Sequence, residues 1–199
     1  MRIVALLALA VAAVLPGYAA EPAARTEAVR PSVAETKAVE FLGKKFELKF
    51  KATDNPVRVY EYYLAKETPD DWLEMVAFQL YPVNPEGNAP LALAKRTAAL
   101  FMEKYPYMKY ALASNTNGVA MLDYFYPVSS RKEKGKRFLE FNAFKFYRDA
   151  ASDQTMSVHY AKNIESTSSS RTMNDVLGDI KKTREELLEA LPKFPLHRP

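Results

Sequence analysis

The 199-residue chain contains no cysteine, which excludes a disulfide framework, a thiol nucleophile, thiolate metal ligands and a lipid-modified N-terminal cysteine. Stability must come from burial. Histidine is nearly as scarce, with only His159 and His197. Zinc normally takes three or four nitrogen, sulfur or carboxylate ligands, commonly from short-spaced histidine pairs, so no metal site is expected. Six glycines form no glycine-rich phosphate loop, and Ser166 and Ser168–Ser170 lack the G-x-S-x-G elbow. No motif calls for a cofactor. The formal charge of +4 is too mild to predict nucleic-acid binding, which asks for a clustered basic face.

Long apolar runs are missing after residue 20, because charge or proline interrupts each within a strand length. The one continuous run stands at the start. MRIVALLALAVAAVLPGYAA has a basic start at Arg2, an apolar stretch from Ile3 to Leu15 and a small-residue exit, the three parts of a cleavable export signal. The stretch is shorter than the roughly 20 residues of a membrane helix. Pro16-Gly17 breaks it, and Gly17 and Ala19 suit the two small pockets of a signal peptidase, so cleavage is expected after Ala19. The remaining chain is expected to be soluble, without a transmembrane anchor, and periplasmic or secreted. At about 180 residues it is one domain by size.

The expected organisation is a signal at 1–19, a flexible leader at 20–40, one domain at 41–192 and a disordered tail at 193–199. The leader is rich in Ala, Pro, Thr and charge and has no aromatic residue before Phe41. From there, apolar residues alternate with polar ones. Phe46, Leu48 and Phe50 mark one strand, and Val57–Leu64 follows the Asp54-Asn55-Pro56 turn as a second. Thr68-Pro69-Asp70-Asp71 has the composition of a helix start, with Trp72 as its core anchor. Met75–Tyr81 reads as a strand. Asn88–Tyr105 has helical spacing and ends at Pro106. Tyr107–Ser114 and Val119–Tyr126 flank Asn117-Gly118, a strong hairpin signal. Phe138–Tyr147 and Thr155–Ile164 complete a four-stranded meander. Thr172 and Asp175 have capping-box spacing before an amphipathic C-terminal helix. The fold class expected is α+β, an antiparallel sheet of six to seven strands with a mid-chain helix and a long C-terminal helix packed on it.

That element order, with the helix LALAKRTAALFMEKYP after a proline-rich turn, resembles the small α+β sandwich of the PsbP and DcrB families over Phe41 to Leu191. The resemblance implies a binding or accessory module and transfers no activity.

Three constellations are chemically informative. If Tyr126 lies opposite Glu140 and Phe146 opposite Met156, then Asp123, Lys145 and His159 share one sheet face. A carboxylate, an amine and an imidazole in reach of one another can do acid-base work, although a one-residue slip would separate them. Arg131, Lys132, Lys134, Lys136 and Arg137 form a basic loop, RKEKGKR, suited to an anionic envelope component or a solvated strand edge. Tyrosines at 60, 62, 63, 105, 107, 110, 124 and 126 offer flat contact area with polar tips, and Tyr62 and Trp72 are binding candidates. Glu67, Asp70 and Asp71 beside Trp72 lack the spacing and glycine of a calcium loop. The sequence is read first as an exported, non-catalytic binding or accessory module for a partner protein or envelope component. The alternative is a small hydrolase or transferase using Asp123, Lys145 and His159.

Overall fold

A computed structural model describes residues 36–83, 88–107, 109–128, 137–149, 152–167 and 172–194. The expected signal with Ala19, the expected leader up to residue 35, the basic loop from Arg131 to Lys136 and the tail from residue 195 with His197 lie outside those residues. Within them, the alternating runs form strands. β1 (Ala38–Phe41), β2 (Lys44–Ala52), β3 (Arg58–Leu64) and β4 (Glu74–Leu80) precede α1 (Pro90–Lys104); β5 (Tyr110–Ser114), β6 (Ala120–Val128), β7 (Arg137–Asp149) and β8 (Gln154–Thr167) precede α2 (Met173–Lys193). The strands form one sheet in the order β1-β2-β3-β4-β8-β7-β6-β5. Two antiparallel meanders therefore meet at its centre, where β4 pairs with β8.

The class is α+β as expected, but the sheet has eight strands rather than six or seven. The additional strand is β1, which takes Ala38 to Glu40 from the stretch expected as leader. Leu42 and Gly43 both have positive φ, 50° and 70°, as a tight two-residue hairpin turn requires. Leucine is a poor residue for that conformation, so the turn carries no signal in the sequence. The expected helix at Thr68 is absent. Thr68 and Asp71 instead exchange two backbone hydrogen bonds, of 3.1 and 3.0 Å. The chain must reverse between Leu64 and Glu74 to run antiparallel to β3, which leaves no room for a helix and its return.

The two helices cover opposite faces. Leu93, Ala94, Ala98 and Phe101 of α1 pack on Leu122, Tyr124, Phe144 and Phe146. The small Ala94 and Ala98 let the helix backbone approach the sheet. Pro106 ends α1 because the residue before a proline is driven out of the helical region, and Tyr105 has φ −132° and ψ 75°. α2 opens on the expected capping box between Thr172 and Asp175. It buries Val176, Ile180, Leu187 and Leu191 against Phe141, Tyr147, Phe78 and Tyr160, each such side chain contributing about 1.5–3 kcal/mol by burial. Phe194, in the stretch expected as tail, is buried against Phe41 at 4.9 Å between ring centroids.

The hairpin between β7 and β8 fixes the sheet's centre. Asp149 faces Gln154, and Tyr147, not Phe146, faces Met156. Asp153 adopts a positive φ of 55° and donates its backbone N–H to Asp149 O at 2.9 Å. Its carboxylate accepts from Arg148 Nε at 2.7 Å. Those local bonds set a register one residue away from the expected one, and every β8 side chain changes face relative to β7.

Candidate functional site

The register separates the expected catalytic residues. Asp123 faces Ala143, and Lys145 faces Met121, on the α2 side. His159 faces Phe144, on the α1 side. Asp123, Lys145 and His159 therefore form no cluster, and each has a structural partner. Arg184 of α2 donates Nε to Asp123 Oδ1 at 2.9 Å and an Nη to Oδ2 at 3.2 Å. Lys145 Nζ donates to the carbonyls of Pro192 at 2.8 Å and Phe194 at 3.4 Å, where the end of α2 leaves carbonyl groups without helical partners. Burial lowers the Lys145 pKa.

On the α1 face the sheet carries a belt of buried polar groups. His159 stacks on Phe144, and its Nε2 lies 2.7 Å from Asn142 Oδ1. An amide oxygen can only accept, so Nε2 is the protonated ring nitrogen. Burial pushes the His159 pKa down to about 3, and the ring is neutral at pH 7. Tyr63 donates its hydroxyl to Glu61 Oε2 at 2.5 Å. Burial raises the Glu61 pKa, and this hydrogen bond opposes the rise. Tyr126 donates to Glu140 Oε1 at 2.6 Å. Tyr124 Oη and Asn163 Oδ1 are buried in the same belt with no hydrogen-bond partner among the described residues. The neutral imidazole and the hydroxyl-bonded carboxylates are engaged with neighbours within the sheet.

A surface does emerge where this belt reaches the end of the sheet at which β4 begins. Phe101 lies 4.0 Å from Tyr124 between ring centroids, and Tyr105 stacks on Tyr126 at 5.0 Å and 20°. Beyond that half-buried ladder the chain turns at Pro106. Tyr107 is 97% exposed and Tyr110 47%. Lys104 comes before them and Lys109 between them in the chain, both exposed, with Lys104 Nζ 5.2 Å from the Tyr105 ring centre. Val128, which ends β6, and exposed Arg137, the last residue of the basic loop and the first of β7, stand at this same end. The tyrosines belong to the set picked out in the sequence; Lys104 and Lys109 do not. Their signal is the alternation of tyrosine and lysine around a helix-ending proline, KYPYMKY.

The other expected binding residues are taken up internally. Tyr62 is fully buried on the α2 face, with its hydroxyl donated to Thr36 O at 3.0 Å. Trp72 is buried against Tyr63, ring centroids 6.3 Å apart. Neither offers its ring to a ligand. Glu67 accepts the Leu73 N–H at 2.9 Å, so it stabilises the β3–β4 connection. A cleft of about 290 Å³ between β8 and α2 is lined by Lys162, Glu165, Asp179, Lys182, Thr183 and Glu186, among others. A much smaller one, about 10 Å³, lies beside the Asp123–Arg184 pair. Among the described residues, no group of three His, Cys, Asp or Glu residues could hold a metal ion, and no helix is long and apolar enough to cross a membrane.

A protein-family model matches residues 33–196. The chain belongs to that family. The match begins just before β1 and ends just after Phe194, so it takes in both meanders and both helices. No curated protein and no solved structure matches the chain.

Proposed function

We propose that this chain is an exported cell-envelope protein that acts as a non-catalytic binding or accessory module for a partner protein or envelope component. The observation that carries this reading is the corner formed by Tyr107, Tyr110, Lys104 and Lys109, which exposes aromatic area and positive charge to solvent next to the stacked rings of Tyr105 and Tyr126. Loops and turns held by a stiff scaffold are where recognition residues concentrate. The hydrolase or transferase alternative has lost its residues, since Asp123 and Lys145 lie on the face opposite His159. Export rests on the sequence of residues 1–19 and the expected exit at Ala19.

Recovery of the processed chain from the envelope under gentle conditions, followed by native mass spectrometry, tests the reading. A specific co-purifying partner is expected, and its loss in Lys104→Glu/Lys109→Glu would place it at this corner. Capture by envelope fractions that is lost in Lys132→Ala/Lys134→Ala/Lys136→Ala would assign the contact to the basic loop instead. No capture at low salt sinks the reading. An N-terminus at Ala20 is the outcome expected for export, and an intact Met1 in the envelope fraction would refute cleavage.

A further inference from the structure

From the shape and charge of the tyrosine–lysine corner, we infer that it docks on an anionic lipid surface, with the Tyr107 and Tyr110 rings at the headgroup level and Lys104 and Lys109 beside the lipid phosphates. The inference rests on the proposed binding role and names the occupant. The exposure of the corner favours a lipid layer over a small ligand or a protein groove. The corner is a turn that projects outward, and Tyr107, its most exposed residue, lines neither cleft described above. Small ligands need concave sites. A bilayer surface is planar and yields to protruding side chains.

The chemistry of the side chains also fits. Tyrosine has an apolar body and a hydroxyl tip, the combination that settles at a membrane–water interface. Lysine can lay its methylene stem along such a surface while its ammonium reaches phosphate. Lys104 precedes Tyr107 and Lys109 stands between Tyr107 and Tyr110 in sequence, and Arg137 lies exposed at the same end of the sheet. Glu103 is the exposed acid in this stretch, leaving the corner net positive and complementary to an anionic layer. Tyr105 is stacked on Tyr126, and β5 starts at Tyr110, so the turn is anchored at both ends.

Flotation of the processed chain with phosphatidylcholine vesicles, with and without about one-third phosphatidylglycerol at low salt, tests the inference. Binding is expected only to the anionic vesicles, weakening steeply toward about 0.5 M salt as the charges are screened. Each lysine near such a surface contributes about fivefold in affinity, so Lys104→Glu/Lys109→Glu should reduce binding at least 25-fold by that reckoning, to roughly background. Tyr107→Ala/Tyr110→Ala should weaken it with the salt dependence retained. All four side chains are at or near the surface, and unchanged thermal unfolding of the variants would establish that they fold. Absence of vesicle binding, or binding indifferent to both double substitutions, overturns the lipid inference. If the corner variants lose capture of an envelope protein while wild-type protein ignores vesicles, the lipid inference falls and the binding-module reading stands. If neither vesicles nor envelope fractions are bound, both fall.

Discussion

His159 lies flat on Phe144, with ring centroids 3.9 Å apart and planes within 6° of parallel, because the two residues face each other across β7 and β8. The stack and the Asn142 bond exclude water from the imidazole, so protonation means burying a cation. The folded-state pKa, about 3, is below the usual 6.5. The native state therefore binds fewer protons than the unfolded chain between these values. His159 contributes stability that is fully present above pH 6.5 and is lost as pH falls toward 3, at up to about 1.4 kcal/mol per pH unit. Urea unfolding of wild type and His159→Gln at pH 7, 5 and 4 should show a steeper acid loss for wild type. Parallel curves would contradict the assignment.

Glu61 should behave in the opposite sense. Its raised pKa, caused by burial, gives a contribution that is present below the ordinary carboxylate range and lost as pH rises through the folded value. Glu61→Gln keeps an acceptor for the Tyr63 hydroxyl and removes the buried charge. The variant should be more stable than wild type at pH 8, and the difference should vanish near pH 4. Tyr63→Phe removes the donor and should cost about 1.5–3 kcal/mol at pH 7. Equal stability of wild type and Glu61→Gln at pH 8 would count against a buried carboxylate.

The Asp123–Arg184 pair ties α2 to β6 across the sheet. Arg184 is 43% exposed at its side chain, so solvent screens the pair and its contribution should be modest, about 0.5–1 kcal/mol in a double-mutant cycle. Asp123→Asn and Arg184→Gln should each reduce stability by a similar small amount, with the double variant showing less than the sum. Strict additivity would mean that the two charges do not interact.

Lys145→Met should have a larger effect. The methionine fills the same space but leaves the carbonyls of Pro192 and Phe194 without their donor, at a cost of about 1–3 kcal/mol. Hydrogen exchange should quicken in the last turn of α2 before it changes elsewhere. Unaltered exchange there would exclude the capping role.

How much of this was legible beforehand depended on how local each signal is. The helix after Pro90, the Asn117-Gly118 hairpin and the Thr172–Asp175 capping box each depend on residues within one or two turns of chain, and each is present. β1 has no signature in the sequence because its hairpin turn uses Leu42 in a conformation that leucine rarely adopts and that only pairing with β2 imposes. At Thr68 the helix-start composition is overridden by the need of the chain to reverse before Glu74. The polar belt and the tyrosine corner were visible only as a list of tyrosines, since their assembly requires knowing which strands are neighbours.

By itself the sequence determined the composition-level facts and the local ones: no thiol chemistry, the apolar signal-like start, the period-2 and helical runs, and most turns. The relation of one strand's faces to another's belonged to the tertiary structure. Side chains alternate with a period of two, so a single-residue difference at the Asp149–Asp153 turn moves His159 through the sheet, away from Asp123 and Lys145. Local patterning tolerates either register. Only the packing of both faces at once, α1 on one and α2 on the other, selects between them.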